Sequence, residues 1–426
     1  MIEEFSFGNF WSFNDIQTLN MTAAKVKSRN TLLDIDNIFS VKDGLSLIKT
    51  KAIYGANASG KSNVIKALST FIWIVKNSVK EYKVLRHIAP FQLSTETVEK
   101  PTFFQLIFRI GKTRFRYGFE ADYKSIKSEW LFSTPNKREQ PLFIRENNEV
   151  IEINQTHFEE GILYQKLFEN SPDPIFTDTS LFLTHLSSTG FGKLSKQIIK
   201  SISSILIISG LGHQGMYEIA GDSLSDSIKK KFILDFLRNA DAGIDEIETI
   251  EITDLTDNAE DEIKLNNKKL RFIISSKTTY NSKLQAEGKS DFSLEGQESE
   301  GTKKMFELSP FIYQSLKEGT PIVIDEFDSR FHPLLTKKIV ELYNSAENKN
   351  AQLIFSTHDT NLLSSELLRR DQIDFVEKDR YGASHLYTLV EIKGVRNNAS
   401  FEKDYIQGKY GAIPFLGDFT NLVVFE

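Results

Sequence analysis

The chain of 426 residues contains no cysteine. Disulfide staples and thiolate metal sites are therefore excluded, and a cytoplasmic setting is the simplest expectation. Proline (10) and methionine (4) are sparse beside 33 phenylalanines, which points to an aromatic-rich core rather than disordered filler. No apolar run is long enough to span a membrane. The opening MIEEFSFGNFWSF lacks the basic-then-apolar order of a signal peptide. Excess positive charge is missing too. The chain has 52 Lys and Arg against 58 Asp and Glu, a net charge of −6, so it carries no overall footprint for nucleic acid. Neither an internal repeat nor a heptad run long enough for a coiled coil is present.

What remains, at 40% hydrophobic and 26% charged residues, is an ordinary globular composition. The length suits one large domain with an insertion, or two modest domains. Short strands are expected over residues 1–54, and a helix from Asn63 to about Ser78 with Val64, Ile65, Leu68, Phe71 and Ile72 on one face. The segments TFFQLIFRIG and RFRYGFEAD, joined through Gly111 and Lys112, read as an antiparallel pair that IKSEWLF extends. Residues 155–245 read as mostly helical. Residues 246–280 return to strand alternation around the charged hairpin TDNAEDEIKLNNKK, and residues 281–292 read as a polar link. Helices and buried strands alternate from Leu294 to Val390, with IVIDEF and QLIFSTH as strands for the inside of a sheet.

Four motifs carry chemistry. The strongest is Gly55-Ala-Asn57-Ala-Ser59-Gly60-Lys61-Ser62-Asn63, between an expected strand and an expected helix. It fits the phosphate-binding loop G-x-x-x-x-G-K-[ST]. Glycines let backbone N–H groups converge on phosphate oxygens at a helix N-terminus. Lys61 is then expected on the β- and γ-phosphates and the Ser62 hydroxyl on Mg²⁺. In the second motif, Asp325 and Glu326 emerge from the end of an apolar strand. They suit a magnesium-holding aspartate and a general base that orients and deprotonates water. The third ends the strand LIFST in His358, placed to hydrogen-bond a γ-phosphate and sense its loss. The fourth is Ser299-Glu-Gly301 at the start of a helix, either an anion-binding turn or an ordinary N-cap.

More than half of the chain separates Lys61 from Asp325. This order of motifs resembles ABC-type ATPase heads of the SMC/RecF group. The opening FSFGNFWSFND is similar to the NF-x-S-F start of those proteins. GANASGKSN, ESEGTKK, DEFDSRFHP, FSTHD and the tail KYGAIPF resemble the stand-alone ATPases related to OLD proteins. Many of these act in bacterial anti-phage defence (abortive-infection, Septu and PARIS systems) beside a toxin or nuclease subunit. The resemblance covers roughly half the chain.

It implies an α/β ABC head: a P-loop mixed sheet with flanking helices, an antiparallel β subdomain and a mostly helical insertion. The corresponding divisions are an N-terminal lobe over 1–154, the insertion over 155–245, a β hairpin and linker over 246–292, a C-terminal lobe over 293–394 and a tail over 395–426. Ser299 and Gly301 match the signature turn that contacts the γ-phosphate held by an opposite subunit, which implies hydrolysis in a head-to-tail dimer. Asp328 and the residues after it match the loop following the Walker B strand, with His332 where related heads carry an aspartate. Gln92 is the expected Q-loop glutamine, with Gln105 as the alternative. The implied ligands are ATP and Mg²⁺, and the implied partners are a second copy and a separate effector. Lys229–Lys231 and the cluster Lys268, Lys269 and Arg271 are read as solvated surface or as a nucleic-acid contact. The alternative function is a RecF-like DNA-repair ATPase. After His358 too little chain follows to hold a nuclease domain of the OLD kind.

Overall fold

The structure, a computed structural model, describes residues 1–41, 44–168, 177–211, 214–240, 242–252, 270–396, 399–414 and 417. The hairpin tip around 256–269, with Lys268 and Lys269, and the apolar terminal run FTNLVVF lie outside the described residues.

The apolar runs singled out in the sequence become neighbours in one six-stranded sheet. Its order is Leu206–Ser209, Ile322–Asp325, Leu353–Ser356, Thr50–Tyr54, Ile373–Lys378, Ser384–Thr388. The first five strands run parallel and the last is antiparallel to its neighbour. Thr50–Tyr54 and Leu353–Ser356 are buried at every position, as strands covered on both faces must be. Register places Ile324 beside Phe355, and Phe355 beside Ala52. The carboxyl ends of these three strands therefore reach one edge together. Gly55, Asp325 and Glu326, and Thr357 and His358 leave the sheet there, at the edge where open α/β sheets bind ligands.

A second, seven-stranded antiparallel sheet has the order Glu149–Ile153, Gln140–Glu146, Ile126–Thr134, Thr113–Ala121, Thr102–Ile110, Ile2–Gly8, Gln17–Asn20. The helix Lys61–Asn77 lies between the two sheets. Its Phe71 stacks on Phe119 of the antiparallel sheet, centroids 5.6 Å apart and planes 10° apart. Its Val64 and Leu68 share a buried cluster with Val323 and Ile354 of the parallel sheet. The phenylalanine-rich strands are thus core. The helix after the phosphate loop is held on both sides by apolar packing that its own sequence pattern specifies.

The other face of the parallel sheet is covered by the helices Glu300–Glu318, Pro333–Asn344 and Ser227–Asn239, through Phe306, Ile312, Val340, Ile233 and Leu237. Residues 155–245 do contain helices, yet they are divided between both cores. Phe182 and Ile198 join the cluster between the sheets, while Leu206–Ser209 adds an edge strand to the parallel sheet. Residues 281–292, expected as a polar link, are instead a turn followed by the strand Ala286–Ser293. That strand pairs with Leu270–Tyr280, which pairs in turn with Glu246–Ile252. Its charged side chains face outward, so it lacks the apolar alternation that marks a strand.

One buried ion pair ties the antiparallel sheet to the helix Phe182–Ser188. Glu129 and Arg145 are both fully buried and 3.3 Å apart. The Glu129 carboxylate also accepts the Tyr117 hydroxyl at 2.9 Å and the backbone N–H groups of Phe182 and Leu183 at 2.6 and 3.0 Å. Burial pushes its pKa up, against the pull of Arg145. Glu129→Ala takes the paired carboxylate from the buried guanidinium, which keeps Ser180 O at 2.6 Å and Asn147 O, and leaves the N–H groups of Phe182 and Leu183 without their acceptor. It is expected to destabilise the fold by about 3–5 kcal/mol, read as a shift in the urea midpoint; an unchanged midpoint would refute the pair's structural role.

Candidate functional site

The strand Thr50–Tyr54 ends at Gly55, and the chain curls through Ala58 (φ +62°) and Gly60 (φ +116°) into the helix beginning at Lys61. A Cβ at Gly60 would stand 2.6 Å from Ser384 Oγ and 2.8 Å from Ser12 Oγ, so only glycine suits both the backbone and the space. Lys61 is 7% exposed. Its ammonium donates to the carbonyls of Gly55 and Ala56 at 2.9 and 3.1 Å. Burial lowers its pKa to about 8, opposed by the charges of Asp325, Asp328 and Glu326. A buried cation held by carbonyls behind a helix N-terminus has the charge and the place to take a phosphate. Ser59 Oγ is buried without a hydrogen-bond partner, Asn57 is exposed, and Asn63 Nδ2 donates to Ser12 Oγ at 2.9 Å.

Across the sheet edge, Ser62 Oγ donates to Asp325 Oδ1 at 3.2 Å. The Ser356 hydroxyl donates to the same oxygen at 2.5 Å and accepts the Glu326 N–H at 2.8 Å. Ser356 therefore locks the two acidic residues together, a role that FSTHD did not disclose. Glu326 has φ +51°, a left-handed backbone that non-glycine residues rarely adopt. The His358 N–H donates to both carboxylate oxygens of Asp328 at 3.3 Å. Burial and then the charge of Lys61 lower the imidazole pKa, so the ring is neutral at pH 7. Among the described residues no group of three or more His, Asp or Glu could hold a metal alone. The Ser62 hydroxyl and the Asp325 carboxylate, 3.2 Å apart, are of the oxygen type that would suit a Mg²⁺ completed by phosphate and water oxygens.

Ser299 is the N-cap of the helix Glu300–Glu318, its Oγ accepting the Thr302 N–H at 3.1 Å. It is also exposed, so the capping and anion-turn readings are compatible. Lys304 reaches from this helix to the carbonyl of Phe327 at 3.0 Å and to that of Ser329, beneath the loop after Asp325. Arg330 of that loop pairs with Glu300 at 2.7 Å. His332 caps the helix Pro333–Asn344 through Nδ1, which accepts the Leu334 N–H at 3.2 Å. Gln105 lies in the antiparallel sheet, accepting from Arg116 and Trp130. Gln92 is exposed on a loop and donates to Pro90 O at 3.1 Å. Lys229–Lys231 lie on the helix Ser227–Asn239, and Arg271 pairs with Asp222. Ser384 behind Gly60 was missed; a lone serine in a distant hairpin gives no sequence signal.

Residues 52–364 match the family described as AAA domain, putative AbiEii toxin, type IV TA system. No curated protein matches. Similar solved structures include the SMC head domain from Thermotoga maritima, at 13% identity and TM-score 0.42, covering 91% of this chain and 98% of that one. Another is the Smc head domain with an extended coiled coil, bound to the C-terminal domain of ScpA, from Pyrococcus furiosus. It matches at 14% identity and TM-score 0.39, covering 91% of this chain and 96% of that one. No helix among the described residues is long and apolar enough to cross a membrane. A phosphate-binding loop and an Asp-Glu strand end meeting at one sheet edge agree with the family match over most of the chain: this protein belongs to that AAA family and is an ATPase.

Proposed function

We propose that the chain hydrolyses ATP in a head-to-tail dimer and that this assembly controls a separate toxin or nuclease in anti-phage defence. The observation carrying the hydrolytic half is the contact of Ser62 with Asp325, one residue from Glu326 and beside the buried Lys61. Lys61 exchanges its carbonyl partners for β- and γ-phosphate oxygens. Ser62 and Asp325 are the residues that would hold a Mg²⁺, which would supply positive charge against the phosphates. Glu326 takes a proton from the water whose oxygen attacks the γ-phosphorus. The bond to the bridging oxygen breaks, and ADP and phosphate leave. His358, neutral, donates one ring N–H to the γ-phosphate without adding charge.

The dimer half rests on the exposed Ser299 at a helix N-terminus, a surface suited to a phosphate carried by another copy. Lys304 links that helix to the loop after Glu326, a route by which closure could reach the catalytic carboxylate. The defence role is supported by the family description and by the OLD-like motifs. The Ser299→Arg variant is expected to bind ATP normally, remain monomeric by light scattering, and hydrolyse less than about a tenth as fast, from steric and charge exclusion at the interface. In a host carrying the native operon it is expected to lose phage protection. Full turnover refutes the signature assignment, and protection without ATP-dependent assembly refutes the control mechanism.

A further inference from the structure

The tail motif KYGAIPF takes no part in the chemistry above. Its first residues fold back on the helix Phe401–Ile406. The Tyr405 hydroxyl donates to Ala412 O at 3.1 Å, and the Tyr410 hydroxyl donates to Asp404 Oδ2 at 3.2 Å. Gly411 turns the chain at φ +72°, where a Cβ would stand 2.7 Å from the Tyr387 hydroxyl oxygen and 2.8 Å from Glu377 Oε2, so the turn requires glycine. Phe401, Tyr405, Tyr410 and Ala412 are all buried.

This unit packs behind the nucleotide edge of the parallel sheet. The Tyr405 ring meets Tyr54, centroids 5.9 Å apart, and stacks on Phe375 at 5.4 Å. Tyr54 is the last residue before Gly55, and its hydroxyl donates to Asp359 O at 3.0 Å. From the same short helix Glu402 accepts the Thr360 hydroxyl at 3.0 Å. Asp359 and Thr360 directly follow His358. Before the histidine, the Thr357 N–H donates to Ile53 O at 3.1 Å. The His358 side chain is exposed, so the ring takes its place chiefly from the backbone on either side. A donor must stand about 3 Å from the oxygen it serves, and a misplacement of about 1 Å costs about a hundredfold in rate.

We propose that Glu402 is a positioning residue for hydrolysis: anchored by the tail unit around Tyr405, it holds Thr360 and so the loop that presents His358 to the γ-phosphate. This rests on the assignment of His358 to the γ-phosphate and gives the tail motif its role, as the support of that loop.

Phosphate release over a range of ATP concentrations tests this in the full chain, with ATP affinity read by calorimetry and folding by the urea midpoint. Glu402→Ala and Thr360→Val remove one hydrogen bond from its two ends. Each is expected to lower kcat about tenfold while ATP affinity stays within about twofold, and the pair together is expected to lower kcat no further. Should Glu402→Ala fail to fold, Thr360→Val carries the same test. Glu402→Gln, whose amide oxygen still accepts, is expected to keep most of the rate. In a His358→Ala background, Glu402→Ala is expected to add nothing, because it acts only through that ring. Losses that multiply overturn the proposal, since Glu402 would then act elsewhere. Unchanged kcat in Glu402→Ala beside a slow His358→Ala overturns the positioning alone. Wild-type hydrolysis in His358→Ala overturns the γ-phosphate assignment beneath it.

Discussion

Glu326→Gln is expected to bind ATP with nearly wild-type affinity yet hydrolyse it at least about 100-fold more slowly, accumulating an ATP-bound dimer or larger assembly. The amide keeps the volume of the carboxylate but cannot accept the water proton. The backbone should hold its place, because the Glu326 N–H is bound to Ser356 Oγ at 2.8 Å and the neighbouring Asp325 is bound to Ser62 and Ser356. With ATP intact, the proposed contacts between a γ-phosphate and a second subunit should persist. Phosphate release and light scattering, each with and without ATP and Mg²⁺, read the two effects. Wild-type turnover in this variant would remove the general-base assignment. Slow turnover by a species that stays monomeric would keep the base and remove the dimer.

Lys61→Ala is expected to lose nucleotide binding, by on the order of a hundredfold to ten-thousandfold in Kd. The ammonium's two charge-assisted hydrogen bonds are worth about 1.5–3 kcal/mol each. Its fold should be unharmed, for a reason visible in the titration. Burial lowers the Lys61 pKa from 10.5 to about 8, so the folded chain holds this proton less tightly than the unfolded chain does. Carrying the charge therefore weakens the fold below pH 8, and that penalty fades as pH rises from about 8 toward 10.5. Removing the lysine relieves it, so Lys61→Ala should unfold no earlier than wild type at pH 7. Phosphate, conversely, favours the protonated amine. Wild-type ATP affinity is then expected to fall by up to about tenfold per unit above pH 8, with proton uptake detectable by calorimetry in buffers of different ionisation heat. Undiminished ATP binding in Lys61→Ala would remove the phosphate-loop claim. A flat pH profile would show that burial does not control this amine.

The two kinds of residue in this site differ in how they could be found. Gly55 to Asn63, Asp325, Glu326, His358 and Ser299 stand in short motifs whose spacing is local, because each motif is one strand end or one helix start. The strands IVID and LIFS and the helix after Lys61 were legible for the same reason: an apolar run or a 3.6-residue period is written into neighbouring residues. Ala286–Ser293 was not legible, since an edge strand with exposed polar side chains resembles a loop. Residues 155–245 were legible as helices but not as a layer, because Leu206–Ser209 becomes a sheet strand only by pairing with Ile322–Asp325.

The sequence by itself determined the parts of this ATPase: a phosphate loop, two carboxylates, a histidine, a helix-capping serine and a phenylalanine-rich core. Tertiary structure decided which parts meet. Parallel register brings three strand ends to one edge, and Ser356, Ser384 and Ser12 acquire their roles only there. Their partners lie tens to hundreds of residues away in the chain, and a single hydroxyl carries no periodicity by which that distance could be read.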